Sequence, residues 1–180
     1  MALSVHPAIA EIKQIYVSNE KSSTLTVLDG KNFKVVRTIK TCRRPRGVHF
    51  SLDRTRFFVG CADDNVIAIY ETKNGNRVGR IRNIEEPETF DLTPDGKVLI
   101  VSNEEDATAS FVDIKSGKII GDVEIGEEPE GVQITKDGST VYVASEAANL
   151  VHVIDVKSMQ VKADILVGTR PRRFALTPDE

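Results

Sequence analysis

The sequence is poor in the residues that most often mark metal and cofactor sites. It contains no tryptophan, two cysteines and three histidines in 180 residues. The missing tryptophan argues against WD40 repeats, whose signature includes a tryptophan–aspartate pair. Two cysteines without a C-x-x-C or C-x-x-C-H motif encode neither a disulfide framework, nor a zinc knuckle, nor an attached c-type haem. Three histidines are too few for a histidine-rich copper cluster. We therefore expect no metal and no cofactor.

Long hydrophobic runs and a strong net charge are missing as well. No apolar run approaches the roughly 18 residues of a membrane-spanning helix, so we expect no membrane span. The net charge of −3 gives no electrostatic case for nucleic acid. The local basic runs 43–46 and 170–173 suit an acidic protein or an anionic ligand better. The N-terminus lacks a basic segment, and His6 and Pro7 interrupt its apolar stretch, so no clear signal peptide is present.

What the sequence does contain is a tandem repeat with a constant step of 42 residues. Four sets of positions keep this step without insertion or deletion, which rules out coincidence. They are the segment starts Tyr16, Phe58, Ile100 and Tyr142; the prolines Pro45, Pro87, Pro129 and Pro171; the turn acids Asp53, Asp95, Asp137 and Asp179; and the strand-end acids Asp29, Glu71, Asp113 and Asp155.

The repeat unit is composed of β-strands. Short segments rich in β-branched residues, such as 25–28 and 151–154, alternate with turn signals such as the Thr-Pro-Asp-Gly at 93–96. The second repeat predicts strands at about 46–50, 56–61, 65–70 and 77–82. Four antiparallel strands in a period of this length are typical of a β-propeller blade. The fold is therefore predicted to be all-β, with blades that stack around an axis.

The repeat divides the chain into blades. We predict an N-terminal extension at 1–14, then propeller blades over 15–180 with repeats at about 15–45, 46–87, 88–129 and 130–171, and a lone inner strand at 172–177. The first repeat begins at its second strand. The chain then holds about four blades, which either form part of a longer ring or close on themselves if the lone strand pairs with the first repeat.

Two groups of motifs carry a family resemblance. The segments 16–20, 100–104 and 142–146, with the Pro-Glu-Gly at 129–131, resemble the YVTN family of β-propeller repeats. The motifs at 44–47, 86–88, 128–131 and 170–172 are most similar to propellers associated with PQQ-dependent alcohol catabolism. Those proteins resemble the haem-d1 domain of cytochrome cd1 and the propeller of nitrous-oxide reductase. The resemblance implies a seven-bladed ring in the periplasm; the alternative is a cytoplasmic protein.

The residues that follow the repeated prolines, together with the residues that end the second strands, are candidates for a binding site. The inner strand of a blade begins at the end of the propeller where the second strand finishes. Charged residues at these positions should therefore surround one mouth of the central channel and bind a protein or a small polar ligand. They are Glu20, Arg46, Glu88, Glu104, Glu130, Glu146 and Arg172. The alternative is that they pair across blades and only solvate this face.

Four further residues or sets of residues have weaker chemical interpretations. Glu88, Glu104, Glu130 and Glu146 resemble a hard-cation site in residue type, but no D-x-D-x-D-G loop supports one. His49, Asp91, Gln133 and Ala175 share one repeat position, for which we predict hydrogen bonds between blades rather than acid–base chemistry. His152 is predicted to be structural. Cys42 and Cys61 form either one disulfide or two free thiols.

No catalytic motif is present, so the sequence favours a non-enzymatic binding scaffold. The family resemblance implies an accessory role in a periplasmic PQQ or redox alcohol-oxidation system. One alternative is a fragment of a cofactor-dependent oxidoreductase related to the haem-d1 domain. Another is a surface or adhesion module built of repeats. Fold alone cannot choose among them, because propellers support many activities.

Overall fold

The computed structural model describes residues 12–179, so most of the predicted N-terminal extension lies outside the described residues. The described residues form fifteen strands, with one 3-10 turn at Ala62–Asp64. Among them, no helix is long and apolar enough to cross a membrane.

The strands form four antiparallel sheets that follow one another along the chain. The first has three strands, β1 Gln14–Asn19, β2 Thr24–Asp29 and β3 Val35–Lys40. The second contains β4 Pro45–Phe50, β5 Arg56–Cys61, β6 Val66–Glu71 and β7 Arg77–Arg82. The third contains β8 Pro87–Leu92, β9 Val98–Asn103, β10 Thr108–Asp113 and β11 Lys118–Glu124. The fourth contains β12 Pro129–Ile134, β13 Thr140–Ser145, β14 Leu150–Asp155 and β15 Gln160–Leu166. This arrangement confirms the all-β fold of propeller blades, and the second blade matches its predicted strands to within one residue.

The repeated turn acids fix the hairpin between the first two strands of a full blade. In the third blade, Asp95 accepts hydrogen bonds from Thr93 Oγ1 at 2.7 Å and from Lys97 N at 3.1 Å. Gly96 has φ of +69°, a left-handed conformation that glycine adopts without steric cost. Asp53 and Asp137 make equivalent contacts in their own turns. The periodic aspartates thus set strand register.

The hydrophobic core lies between blades. Leu25 of the first blade packs with Phe57 of the second, Ile67 of the second with Leu99 of the third, and so on along the chain. A third cluster joins the third and fourth blades. Each sheet buries its faces only against its neighbours, which is why a single repeat could not fold alone.

The predicted lone inner strand at 172–177 is wrong as an element. Residues 167–179 contain no strand, because no neighbouring strand pairs with them along the backbone. The segment nevertheless lies against the fourth blade, where Leu176 N donates to Gln133 Oε1 at 3.3 Å. Among the described residues β1 pairs only with β2, so the pairing that would close a four-bladed ring is not formed.

Candidate ligand-binding site at the charged mouth

Backbone conformation brings the start of each inner strand to the end of the strand beside it. The residues before the repeated prolines are all left-handed: Arg44, Glu86, Glu128 and Arg170 have φ of 48°, 44°, 52° and 58°. This conformation costs about 1 kcal/mol or more outside glycine. In compensation, Glu104 N donates to Glu86 O at 3.1 Å and Glu146 N donates to Glu128 O at 2.8 Å. These bonds place the charged side chains of both elements at one end of the molecule, as predicted. We call this end the mouth.

Arg46 lies at the centre of an ion-pair network that spans four blades. Its Nη1 is 3.1 Å from Glu20 Oε2 of the first blade, and its Nη2 is 3.6 Å from Glu130 Oε1 of the fourth. It also pairs with Glu88 of the third blade through Nε and Nη2. A single guanidinium of the second blade thus links three carboxylates from three other blades.

Two further arginines extend the network to the remaining predicted residues. Arg172 contacts Glu130 Oε1 at 3.4 Å and Glu146 Oε2 at 2.6 Å. Arg44 contacts Glu104 Oε2 at 3.6 Å. All seven predicted residues therefore meet in one network, and they pair across blades as the alternative interpretation expected. Their role in ligand binding remains a prediction.

The network also includes Arg44, Glu86 and Arg170, which were not predicted as site residues from the sequence. Arg44 pairs with Glu86 and, through Nε, with Glu20 Oε1 at 3.1 Å. Arg170 pairs with Glu146. These three residues share the repeat position before the proline, so the 42-residue step could have found them. They were missed because only the position after the proline and the end of the second strand were expected to lie at the channel mouth.

Three glutamates of the mouth are almost fully buried. The side chains of Glu88 and Glu146 are each 1% exposed, and that of Glu130 is 6% exposed. The pKa of Glu88 is raised to about 8, chiefly because burial disfavours the charged carboxylate and also because Glu104 hydrogen-bonds to the protonated form. Arg46 opposes this rise without cancelling it. The mouth therefore contains a carboxyl group whose charge depends on its neighbours.

A cavity of about 250 Å³ opens at the mouth. Arg46, Arg172 and Arg173 line it together with Glu20 and Glu130, so cationic side chains outnumber carboxylates by three to two. Arg172 and Arg173 are exposed, whereas Arg46 is mostly buried. Such a cavity can accept an anionic group on the arginines and hydroxyl groups on the glutamates.

Comparison with known proteins identifies the family. A family model described as "Lactonase, 7-bladed beta-propeller" matches residues 5–124, two thirds of the sequence. The chain belongs to this family. The finer resemblance to PQQ-associated and haem-d1 propellers is not confirmed by the comparisons and stays a prediction.

Solved structures support the same fold for this Lactonase-family chain. Hydrazine synthase of Kuenenia stuttgartiensis superimposes with a TM-score of 0.79 at 18% identity over 87% of this chain and 47% of its own. A functionally unknown protein of Desulfotomaculum acetoxidans gives 0.79 at 13% identity over 95% of this chain and 58% of its own. The chain thus spans about half the length of these structures, and at such low identity they show the fold alone. No curated protein matches the sequence.

In this Lactonase-family chain, the repeat position of His49 connects neighbouring blades. His49 Nε2 lies 2.9 Å from Asp91 Oδ1, and Asp91 Oδ2 accepts from Ile134 N at 2.9 Å. Burial lowers the pKa of His49, but the hydrogen bonds with Asp91 and the Phe50 carbonyl outweigh this effect, so the pKa is raised overall. The predicted hydrogen bonds between blades are confirmed.

Ser145, His152 and Asp164 form a Ser–His–Asp arrangement of the residue types that many hydrolases use for catalysis. His152 Nε2 is 2.9 Å from Ser145 Oγ, and its Nδ1 is 2.6 Å from Asp164 Oδ1. However, Nε2 also accepts from Gly126 N at 3.0 Å, and Ser145 Oγ donates to Gly126 O at 3.1 Å. Ser145 is completely buried. The group is therefore a structural hydrogen-bond network rather than a nucleophile with its base, and His152 is structural as predicted.

Cys42 and Cys61 form a disulfide, which decides between the two alternatives left open by the sequence. Their Cα atoms are 5.7 Å apart across a separation of 19 residues. Cys42 lies before the inner strand β4, and Cys61 ends β5. The bond therefore fastens one loop of the mouth to the strand beside it.

Proposed function

We propose that this chain is a non-enzymatic binding module that holds a small anionic, hydroxylated ligand at the mouth. The observation that carries the proposal is the cavity lined by Arg46, Arg172, Arg173, Glu20 and Glu130. A guanidinium binds a carboxylate or phosphate through two parallel hydrogen bonds, and a carboxylate accepts hydrogen bonds from hydroxyl groups. The ligand class that combines both features is a sugar acid or a sugar phosphate.

Arg173 is the side chain best placed to meet such a ligand first. It is exposed, it lines the cavity, and it forms no ion pair with any residue in the range 12–179. The other cavity arginines already contact glutamates. An incoming anion therefore gains a full charge partner at Arg173 without breaking an existing pair.

A binding experiment tests this proposal directly. Isothermal titration with a sugar carboxylate, a sugar phosphate and their neutral parent sugar should give heat only with the two anions. Arg173→Gln should weaken binding about 10-fold or more, the usual effect of losing a charged hydrogen bond. Arg80→Gln, at an exposed position of the outer strand β7, is the matched control and should bind like the wild type. Equal binding of the neutral sugar would overturn the proposal.

The family description favours lactone hydrolysis as a second candidate. Water would attack the lactone carbonyl carbon and lose a proton to Glu130, the ring C–O bond would break, and the alkoxide would receive the proton. The product would be a hydroxy acid, which matches the anionic ligand class. Acid release from a sugar lactone at constant pH should then exceed the spontaneous rate and fall with Glu130→Gln. A rate equal to that of buffer would leave binding as the function.

The disulfide supports a setting outside the reducing cytoplasm. Structural disulfides form and persist in oxidising compartments such as the bacterial periplasm. This observation agrees with the periplasmic location implied by the family resemblance, and with an accessory role in a redox or alcohol-oxidation system there. Fractionation of the native host followed by detection of the chain would test the location, and recovery in the cytoplasm would contradict it.

A further inference from the structure

The second blade departs from the repeat at the end of the propeller opposite the mouth. Its inner strand β4 begins at the mouth, so the hairpin that follows β4 lies at the other end. Arg54 occupies a position in this hairpin that is glycine, Gly96 and Gly138, in the third and fourth blades. All three residues are left-handed, with φ of 58°, 69° and 72°. Because this conformation is strained outside glycine, an arginine here invites a functional explanation.

Two neighbouring positions depart from the repeat in a similar way. Arg56 lies where the third blade has Val98, and Thr72 lies where that blade has Ile114. Thr72 Oγ1 is buried and has no hydrogen-bond partner among the described residues. A hydroxyl without a partner in such a place is costly, so its hydrogen is free for an acceptor brought by a ligand. Both departures replace an aliphatic side chain with a group that can donate hydrogen bonds.

These side chains meet at an open cavity of about 510 Å³. Its lining residues are Arg54, Thr55, Arg56, Glu71, Thr72 and Lys73. Thr72 N donates to Thr55 O at 2.9 Å, which holds the two hairpins of the blade together. The Arg54 guanidinium lies over the Phe50 ring, 5.4 Å from its centroid, and this contact orients the side chain. The cavity is therefore built by two hairpins that the backbone connects.

The cationic side chains of this cavity have no carboxylate partner, unlike the arginines of the mouth. Arg54, Arg56 and Lys73 are exposed and form no ion pair with any residue in the range 12–179. Glu71 is the one carboxylate of the lining, and it accepts a hydrogen bond from Asn74 Nδ2 at 2.6 Å. An anion can therefore approach three cations without breaking an existing ion pair.

A fourth guanidinium adjoins the cavity from the first blade. Arg37 of β3 donates from Nη2 to Thr72 O at 2.7 Å and from Nη1 to Lys73 O at 3.3 Å. Its repeat position is glycine, Gly79 and Gly121, in the second and third blades. The Arg37 Nε is buried and has no acceptor among the described residues. Arg37 thus adds positive charge beside the cavity where the repeat has no side chain.

We propose that this cavity binds the phosphate group of a small phosphorylated molecule. A phosphate monoester carries a charge of about −1.5 to −2 at neutral pH and has three strong acceptor oxygens. The planar guanidinium groups of Arg54 and Arg56 match pairs of these oxygens, and Lys73 adds a compact positive charge. The volume of the cavity leaves room for the group that carries the phosphate. The site lies at the opposite end of the blade from the mouth and does not depend on the ligand proposed there.

Titration with inorganic phosphate tests the site, and an Arg173→Gln background separates it from the mouth. This protein should bind one phosphate per chain. In the same background, Lys73→Gln should weaken phosphate affinity about 10-fold or more, the usual effect of losing a charged hydrogen bond. Lys115→Gln is the matched control, because Lys115 has the same repeat position in the third blade and is also exposed. It should bind phosphate as tightly as the background protein.

Arg54→Gly provides a second variant that should fold without difficulty, because glycine is the residue of the other blades at this position. It should melt within a few degrees of the background protein and still lose phosphate affinity about 10-fold or more. If millimolar phosphate produces neither heat nor a change in melting temperature in the background protein, the proposal is wrong. If Arg54→Gly and Lys73→Gln bind phosphate unchanged, the anion lies elsewhere. Either failure leaves the proposal for the mouth intact, since a sugar carboxylate and Arg173 test that site.

Discussion

In the second and fourth blades, the loop before the inner strand is attached to the end of the second strand by different chemistry. In the second blade, the Cys42–Cys61 disulfide joins the loop before the inner strand to the end of β5. Gly126 and Ser145 occupy the same repeat positions in the fourth blade, where Ser145 Oγ donates to Gly126 O at 3.1 Å and His152 Nε2 accepts from Gly126 N at 3.0 Å. A covalent bond and a buried hydrogen-bond network thus have one structural role.

The other two blades show how this position varies. In the first, Asn19 Nδ2 donates to Thr26 Oγ1 at 2.9 Å, and in the third, Asn103 Nδ2 donates to Ser110 Oγ at 2.6 Å. Where the network has His152 in the fourth blade, the second has Ala68, which cannot hydrogen-bond through its side chain. The disulfide therefore occurs in the one full blade that lacks the polar partner. In the first and third blades this strand end bonds the next strand instead, so the fastening of the loop is seen in the second and fourth blades.

Loss of the disulfide should have the largest effect on stability. Cys42→Ser with Cys61→Ser removes the cross-link of a 19-residue separation, for which chain entropy predicts about 3 kcal/mol. Chemical unfolding of the wild type, the double variant and the reduced wild type measures the loss. The latter two should unfold at similar, lower denaturant concentrations. Equal stability of oxidised and reduced wild type would show that the bond contributes nothing.

Loss of His152 should cost less, because it breaks hydrogen bonds rather than a covalent link. His152→Leu leaves Gly126 N, Ser145 Oγ and Asp164 with fewer partners, of which Ser145 Oγ is buried and Gly126 N is partly buried. It should destabilise the fold by about 2 kcal/mol. Lys162→Gln, at an exposed position of β15, is the control for a change in the same blade. A loss no greater than that of the control would mean that the network does not fasten the loop.

The fold could be predicted from the sequence because each repeat shows the same pattern of strands and turns. The 42-residue step located the strands of the second blade to within one residue, and the turn acids explain their register. The inner strand at 172–177 failed for a physical reason. Its hydrophobic pattern resembles that of β4 and β8, but a strand needs a hydrogen-bonded neighbour, which a pattern within one segment does not supply.

The sequence was enough to predict which residues lie at the candidate site. It was not enough to predict how deeply each side chain is buried or how its charge is stabilised. The repeat positions of Arg46 and Glu88 showed that both would lie at the mouth. They could not show that Glu88 would be almost fully buried, or that one of its oxygens would lack a donor. Those properties depend on how Arg44 and Glu104 approach from other elements. The choice between disulfide and free thiols likewise required the distance between Cys42 and Cys61.

An exchange of chemistry between the two blades should have a smaller net effect. In Gly126→Cys with Ser145→Cys and Ala148→Gly, the new cysteines occupy the repeat positions of Cys42 and Cys61. A Cβ at Gly126 would lie 3.1 Å from Ser145 Cβ and from His152 Nε2, so the new bond requires a shift of a few tenths of an ångström. The third change removes the closest obstacle, the Ala148 Cβ at 2.6 Å. We expect a disulfide and a stability within about 1 kcal/mol of the wild type, since one fastening replaces another. Two free thiols on titration would contradict the equivalence of the positions.

The smallest expected effect is on the pH dependence of stability, and it concerns a second difference between the second and fourth blades. At one inner-strand position the second blade has His49, paired with Asp91, whereas the fourth has the neutral Gln133, bonded to Leu176 N. The pKa of His49 is raised in the folded protein despite burial and the nearby Arg54, so the charged form stabilises the fold. This contribution is fully present below the pKa of the unfolded chain and is lost as pH rises through the folded pKa.

His49→Gln should therefore remove a loss of stability that the wild type shows as pH rises above about 6.5, the usual pKa of histidine. The effect should stay below about 1 kcal/mol because His49 is partly exposed and solvent screens the pair. Melting temperatures of both proteins across this range, at constant ionic strength, measure the difference. Titration of the other carboxylates affects both proteins alike, so only the difference between the two curves reports on His49. Parallel curves would show that the pair is as insensitive to pH as its neutral counterpart at Gln133.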